Sequence, residues 1–336
     1  MSTPLPAAPV PTIADLERAR EHVREAAVRT PLVRLELEGP GGHEVFAKAE
    51  SLQRTGSFKL RGALNFLASL PHGVRARGVV THSSGNHAQG VAFAARHFGV
   101  PATIVIPDGA PRVKVDGTLA LGAEVVRCRN TQASRMETAE AIAAERGATL
   151  VPPYDHPWIV AGQASVGLEI AEELADVANV LVPIGGGGLS SGVCLALAAR
   201  VPAARVVGVE PELAADARDS LRAGERVTWP AEKVTGTLAD GVRTQSIGAL
   251  NFEVLRRHLA GVETVSEDGI RAATAWYGRR ARLMVEPTGA ITLAALSKIL
   301  RGDGEVALSA AGPTVVVVSG GNVDAELFCE IVTASA

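Results

Sequence analysis

Residues 179–189 read Asn-Val-Leu-Val-Pro-Ile-Gly-Gly-Gly-Gly-Leu. The apolar, β-branched run Asn179–Ile184 predicts a strand, and the apolar period after Leu189 predicts a helix. Between them, Gly185, Gly186, Gly187 and Gly188 let the backbone approach a ligand closely and turn successive N–H groups inward. The amino end of the following helix adds positive potential, so the loop suits a phosphate. The plainer reading is a tight strand–helix turn. Two nucleotide readings fail: no Walker lysine follows the glycines, and the third glycine of a G-x-G-x-x-G fingerprint is missing in every register. The loop therefore predicts a phosphate that no nucleotide carries.

The same strand–loop–helix grammar extends in both directions. Strands are predicted at Gly78–His82, Ala102–Ile106, Glu124–Arg127, Arg205–Glu210 and Thr314–Ser319. Helices are predicted after Asn86, Pro111, Ala133, Gly162, Leu189, Ser266, Pro287 and Asn322. Thr12 and Asp15 form an N-cap with an acidic N3 residue, which predicts a helix near 13–27. Alternating units of this kind specify an α/β protein with largely parallel sheets. Residues 78–152 hold a compact set of β-α units. The expected architecture is thus a large domain (1–55 and 153–336) with an inserted small domain (56–152) and a cleft between them. Residues 56–77 are assignable to either domain.

Composition narrows the partners. The 336 residues carry a net charge of −3 and are 47% hydrophobic, so nothing marks a nucleic-acid or anionic-membrane binder. No apolar run approaches the roughly 20 residues that span a bilayer. Cys128, Cys194 and Cys329 are far apart and lack C-x-x-C spacing, which fits a reducing cytoplasm. Of 33 basic residues only five are lysines: Lys48, Lys59, Lys114, Lys233 and Lys298. Arginine serves the surface, so each lysine calls for its own explanation.

Lys59 lies in Ser57-Phe58-Lys59-Leu60-Arg61-Gly62. Between two large apolar residues its amine is partly desolvated, which lowers its pKa and favours the nucleophilic free base; the plainer reading is a snorkelling lysine at a helix start. Ser83-Ser84-Gly85-Asn86-His87 places hydroxyls, an amide and helix-start N–H groups between a strand and a helix, a set that can hold a carboxylate. His87 reads equally well as a structural histidine. Ser319-Gly320-Gly321-Asn322 closes a buried strand at its carboxyl end, where open α/β sheets bind ligands. A nucleophilic lysine, a phosphate cup, a carboxylate clamp and a polar strand end match what pyridoxal phosphate and an amino acid require.

The motifs S-F-K-L-R-G-A (57–63), S-S-G-N-H-A-Q (83–89), P-I-G-G-G-G-L (183–189), G-V-E-P (208–211), A-D-G-V (239–242), E-P-T-G-A (286–290) and S-G-G-N (319–322) resemble the threonine/serine dehydratase and serine racemase family of fold type II pyridoxal-phosphate enzymes. The resemblance runs from Thr30 to Asn322. It implies a tryptophan synthase β-like fold of two open, twisted, mostly parallel sheets with the active site in the cleft. It also implies that Lys59 holds the cofactor as a Schiff base and exchanges the substrate's Cα proton. Gly185 to Leu189 would bind its phosphate, Asn86 would meet its 3-oxygen and Ser319 its pyridine nitrogen, with Phe58 and Glu286 completing the pocket. Ser83, Ser84, Gly85, Asn86 and His87 would hold the substrate carboxylate, and Ser84 would handle the proton on the face opposite Lys59. Arg135, Tyr154 and Asp240 would lie near the substrate side chain. Glu210, the Ala214 carbonyl and Asp216 would hold Mg²⁺ or Ca²⁺, hard cations suited to oxygen ligands. A homodimer is the family default.

A serine hydroxyl cannot keep the pyridine protonated as a carboxylate would, which favours β-elimination over slow reprotonation. The expected activity is an ammonia-lyase acting on L-threonine or L-serine. Serine racemase, or a lyase for another β-hydroxy amino acid such as 3-hydroxyaspartate, is the alternative. Cysteine-synthase-type β-replacement fits less well, because the lysine segment departs from that pattern. Two departures bear on substrate choice: Gly162-Gln163-Ala164-Ser165 replaces the usual G-Q-G-T, and Tyr154 stands where relatives carry phenylalanine or asparagine.

Overall fold

In a computed structural model the described residues are 9–83, 85–110 and 112–334. Ten strands run in chain order: β1 Leu32–Glu38, β2 Glu44–Ala49, β3 Val79–His82, β4 Ala102–Pro107, β5 Glu124–Cys128, β6 Thr149–Leu150, β7 Asn179–Pro183, β8 Arg205–Pro211, β9 Leu259–Val265 and β10 Thr314–Val318. They form a six-stranded sheet of order β1-β2-β10-β7-β8-β9 and a four-stranded sheet of order β5-β4-β3-β6. Among the described residues only the β1–β2 hairpin forms an antiparallel ladder; every other ladder is parallel.

Parallel strands covered by helices on both faces are apolar throughout, and the central strands obey this. All residues of β4, β7 and β10 are buried, with Val315 to Val318 at 0% exposure. Burying each such side chain contributes roughly 1.5–3 kcal/mol. The six expected strands form within a residue or two of their predicted ends. The first helix spans Ile13–Arg24 and carries the Thr12/Asp15 capping box. The helix expected after Gly162 begins earlier, at Pro157, with His156 as its N-cap. Residues 159–171 of that helix are all buried, so no polar face marked its start. No described helix is long and apolar enough to cross a membrane.

This topology sends several loops to the carboxyl ends of adjacent strands. β7 leads into the glycine loop, β10 into Ser319, and β3 in the smaller sheet into Ser83 and the helix Asn86–Phe98. The helix Lys59–Ser69 begins beside β10: the Phe58 N–H donates to the Ser319 carbonyl at 3.1 Å, and Ser57 bridges to Gly320.

Candidate active site

Lys59 opens its helix. Its Nζ donates to the Pro153 carbonyl at 2.8 Å and lies 5.3 Å from the Phe58 ring centroid. Only part of the side chain is open to the cleft, and burial pulls the amine down to about 8. A freely hydrated, snorkelling lysine is excluded.

A frame of buried charge anchors this helix. Arg61 donates to Glu50 through Nε and Nη2 at 2.8 Å each, and to Glu169 through Nη1 and Nη2 at 2.6 and 2.9 Å. Lys48 pairs with Glu169 at 2.7 Å and donates to the Thr30 carbonyl. Burial would raise the Glu50 carboxyl, but Arg61 and then Lys48 hold it below the usual carboxylate range. Two cations and two anions balance inside the core, as buried charges require. The scarcity of lysine pointed to Lys48, but nothing local in the sequence paired it with Glu169.

The glycine loop is braced from outside. The Gly186 carbonyl accepts from Asn251 Nδ2 at 2.7 Å and from the Gly248 N–H at 3.1 Å. The Gly187 carbonyl accepts from Ser190 Oγ at 3.0 Å. Asp155 caps the helix Ala249–His258 by accepting from the N–H groups of Ala249 and Leu250, at 2.9 and 3.1 Å. With the Gly186 and Gly187 carbonyls held, Gly185, Gly186 and Gly187 keep N–H groups that find no acceptor among the described residues. Gly187 has φ +92°, and a Cβ at Gly186 would come within 2.2 Å of the Tyr154 ring. Neither position admits a side chain without displacement.

Ser319 is 2% exposed and its Oγ has no hydrogen-bond partner among the described residues, a costly state that a ligand atom would relieve. Phe58, Lys59, Tyr154, Gly185 to Leu189 and Ser319 line one small cavity. That cavity shares Phe58, Lys59, Tyr154 and Ser319 with a cleft of about 640 Å³. Ser83, Gly85, Asn86, Arg135, Asp240 and Glu286 also line this cleft, so the structure brings these expected residues together. Ser84 lies outside the described residues.

Asn86 is fixed on both sides. Its Nδ2 donates to Glu286 Oε1 and its Oδ1 accepts from Asn322 Nδ2, each at 2.8 Å. His87 also reaches the cleft, but burial, and then the charge of Lys59, lowers it to about 3, so the ring is neutral. Its Nε2 lies 3.2 Å from the Val151 carbonyl, a contact that requires the proton on Nε2. Nδ1 is then an acceptor, and the residue's backbone N–H, rather than its ring, suits a carboxylate. Arg135 and Arg243 line the cleft with carbonyl partners, Thr131 and Thr237, and no carboxylate partner among the described residues.

Glu210 and Asp216 are wholly buried. Glu210 accepts from the N–H groups of Ala217 and Arg218 at 3.0 and 2.8 Å, whereas neither Asp216 oxygen makes a hydrogen bond of ordinary geometry among the described residues, although the Ile247 and Asp216 backbone N–H groups act to lower its pKa. Burial, and then the neighbouring Asp216, pushes Glu210 well above the usual range; burial pushes Asp216 up to about 7. Ala214 is buried beside them in sequence. No cluster of three or more His, Cys, Asp or Glu side chains placed to hold a metal occurs among the described residues.

Comparison with known proteins follows the same lines. The family described as pyridoxal-phosphate dependent enzyme matches residues 23–320. The L-threonine ammonia-lyase of Geobacter sulfurreducens is 42% identical over 94% of this chain and 77% of its own length. The L-threo-3-hydroxyaspartate ammonia-lyase of Saccharomyces cerevisiae is 36% identical over 96% of this chain and 97% of its own. The structure of maize serine racemase superposes with a TM-score of 0.88, at 34% identity and 97% coverage of both chains.

Proposed function

The chain belongs to the pyridoxal-phosphate-dependent enzyme family, and from that premise we propose that it is an ammonia-lyase releasing ammonia and a 2-oxo acid from L-threonine or L-serine. The observation that carries this reading is Lys59: an amine lowered to about 8, opening both on the glycine loop and on the cleft. The residues present fit the cofactor. Three N–H groups without acceptors answer its phosphate, the Ser319 hydroxyl its ring nitrogen, Asn86 its 3-oxygen and Lys59 its aldehyde carbon. When bound, pyridoxal phosphate withdraws electrons from the substrate's Cα and so acidifies the proton there.

The chain's own residues do the rest. Asn86 and His87, at the start of their helix, present backbone N–H groups to the substrate carboxylate and so fix the Cα–H bond relative to Lys59. Lys59 Nζ, whose lowered pKa enlarges its free-base share, takes that proton and holds it while the β-hydroxyl departs. Ser319 would offer the cofactor's ring nitrogen a neutral hydroxyl in place of a charged carboxylate. That favours elimination over proton return. Asn251 and Asp155 keep the glycine loop shaped, and Glu286 and Asn322 keep Asn86 oriented.

Serine racemase remains the alternative from a different reaction class. A third reading, a lyase for a dicarboxylic β-hydroxy amino acid such as 3-hydroxyaspartate, is favoured by the two cleft arginines that lack carboxylate partners, Arg135 and Arg243. Incubation with L-threonine, L-serine and threo-3-hydroxyaspartate, reading 2-oxo acid, ammonia and product chirality, separates the three. Rapid 2-oxobutanoate or pyruvate supports the main reading. D-serine in excess over pyruvate, or turnover confined to hydroxyaspartate, would replace it. The same proposal includes a Mg²⁺ or Ca²⁺ ion held by Glu210, Asp216 and the Ala214 carbonyl, supported by the two Asp216 oxygens without a hydrogen bond of ordinary geometry among the described residues. It also includes a small lobe around β3–β6, a homodimeric assembly and a cytoplasmic location, in keeping with three scattered free cysteines.

A further inference from the structure

A second cavity, of about 410 Å³, opens at the amino ends of β8 and β9. The glycine loop and Ser319 lie at the carboxyl ends of β7 and β10, so the length of β8, roughly 20 Å at ~3.3 Å per residue, separates the two places. Arg205, Arg218, Arg222 and Arg256 line the cavity around Leu221 and Leu255. The pairing of β8 with β9 slips between Val206 and Val207. Such a bulge bends the strand and opens the end of the sheet.

The arginines are not equivalent. Arg218 donates to Asp219 and Arg256 to Glu253, while Arg222 pairs with Glu305 at 2.6 Å on the exposed rim. Each of the three retains N–H groups that these pairs do not use. Arg205 is half-buried, and its buried Nε has no hydrogen-bond partner among the described residues. A guanidinium N–H withdrawn from water without an acceptor is costly, and an anion removes that cost. Four arginines lining one cavity offer more donors than the two oxygens of a carboxylate use and suit the three terminal oxygens of a phosphate better. The volume and the leucine floor exceed what inorganic phosphate fills and call for an apolar body.

We propose that this cavity is a binding site for a phosphate monoester with an apolar or aromatic body, separate from the active-site cleft. The cofactor-loaded protein, titrated calorimetrically with phenyl phosphate, benzoate, inorganic phosphate and benzyl alcohol, tests it. Phenyl phosphate is expected to bind saturably, one per chain, at least tenfold tighter than each of the other three. Arg205→Ala is expected to weaken it at least tenfold, and the exposed Arg256→Ala to weaken it less, with the visible absorbance of the bound cofactor unchanged in both. If Arg205→Ala does not fold, Arg256→Ala decides alone. Absence of saturable binding, equal binding of benzoate, or affinity untouched by the variant that folds would each overturn the assignment.

Discussion

Replacing Lys59 with methionine should stabilise the cofactor-free protein near neutral pH. Burial lowers the Lys59 amine from 10.5 to about 8. At about 1.4 kcal/mol per unit this costs the folded state about 3 kcal/mol below the folded pKa. Because part of the side chain is open to the cleft, solvent reduces this to about 2 kcal/mol. Methionine fills similar volume and carries no charge. It gives up the hydrogen bond to the Pro153 carbonyl, which contributes about 1 kcal/mol, so the net gain is about 1 kcal/mol at pH 7. The sign follows from proton counts. Between pH 8 and 10.5 the unfolded chain holds the lysine proton and the folded chain does not, so wild-type stability rises with pH across that window. Lys59→Met lacks the rise, and roughly half the charge cost is gone by pH 9.5. Urea denaturation of both apoproteins at pH 7 and 9.5 measures the difference. A Lys59→Met protein less stable at pH 7, or an advantage that does not shrink with pH, refutes the reasoning.

Asn251→Ala removes the 2.7 Å bond to the Gly186 carbonyl; a loss of about 1 kcal/mol should raise the cofactor's dissociation constant roughly fivefold, read by equilibrium dialysis. Arg61→Met leaves Glu50 and Glu169 buried with Lys48 as the remaining cation of the frame. It should cost about 3–5 kcal/mol in urea denaturation. For the proposed cation site, the raised Asp216 pKa means the folded chain holds an extra proton between the usual aspartate range and about pH 7. Chelated protein should therefore lose melting temperature as pH rises through that window, and added Mg²⁺ should restore it above pH 7, as thermal scans with and without chelator will show.

Most of the strands legible in the sequence were buried ones, the half-exposed edge strand β5 being the exception. β4, β7 and β10 are continuous apolar runs because helices cover them from both sides, and each was located to within a residue or two. The edge strands β1, β6 and β9, and β2 inside the larger sheet, were not located. β1 mixes Arg34, Glu36 and Glu38 into a half-exposed strand, the charge pattern that protects a sheet edge, which dilutes the apolar signal. β9 passes through the exposed Ala260 at its slipped register. Among candidate site residues, short-range motifs pointed to Lys59, the four glycines and Ser319. Asn251, Asp155 and the Arg61 frame escaped because their partners lie far along the chain: Asn251 meets Gly186 and Arg61 meets Glu169 only after the sheets assemble. His87 shows the converse, since its motif did not reveal that Val151 would claim its ring proton.

The account stands or falls on Lys59 as the group that works at the substrate's Cα. The decisive measurement compares wild type with Lys59→Ala, both incubated with pyridoxal phosphate, for the visible absorbance of bound cofactor and the release of 2-oxobutanoate and ammonia from L-threonine. Wild type should show the absorbance and release both products in equal amounts, and Lys59→Ala should lose the absorbance and at least a thousandfold in turnover. A Lys59→Ala protein that keeps both would contradict the account.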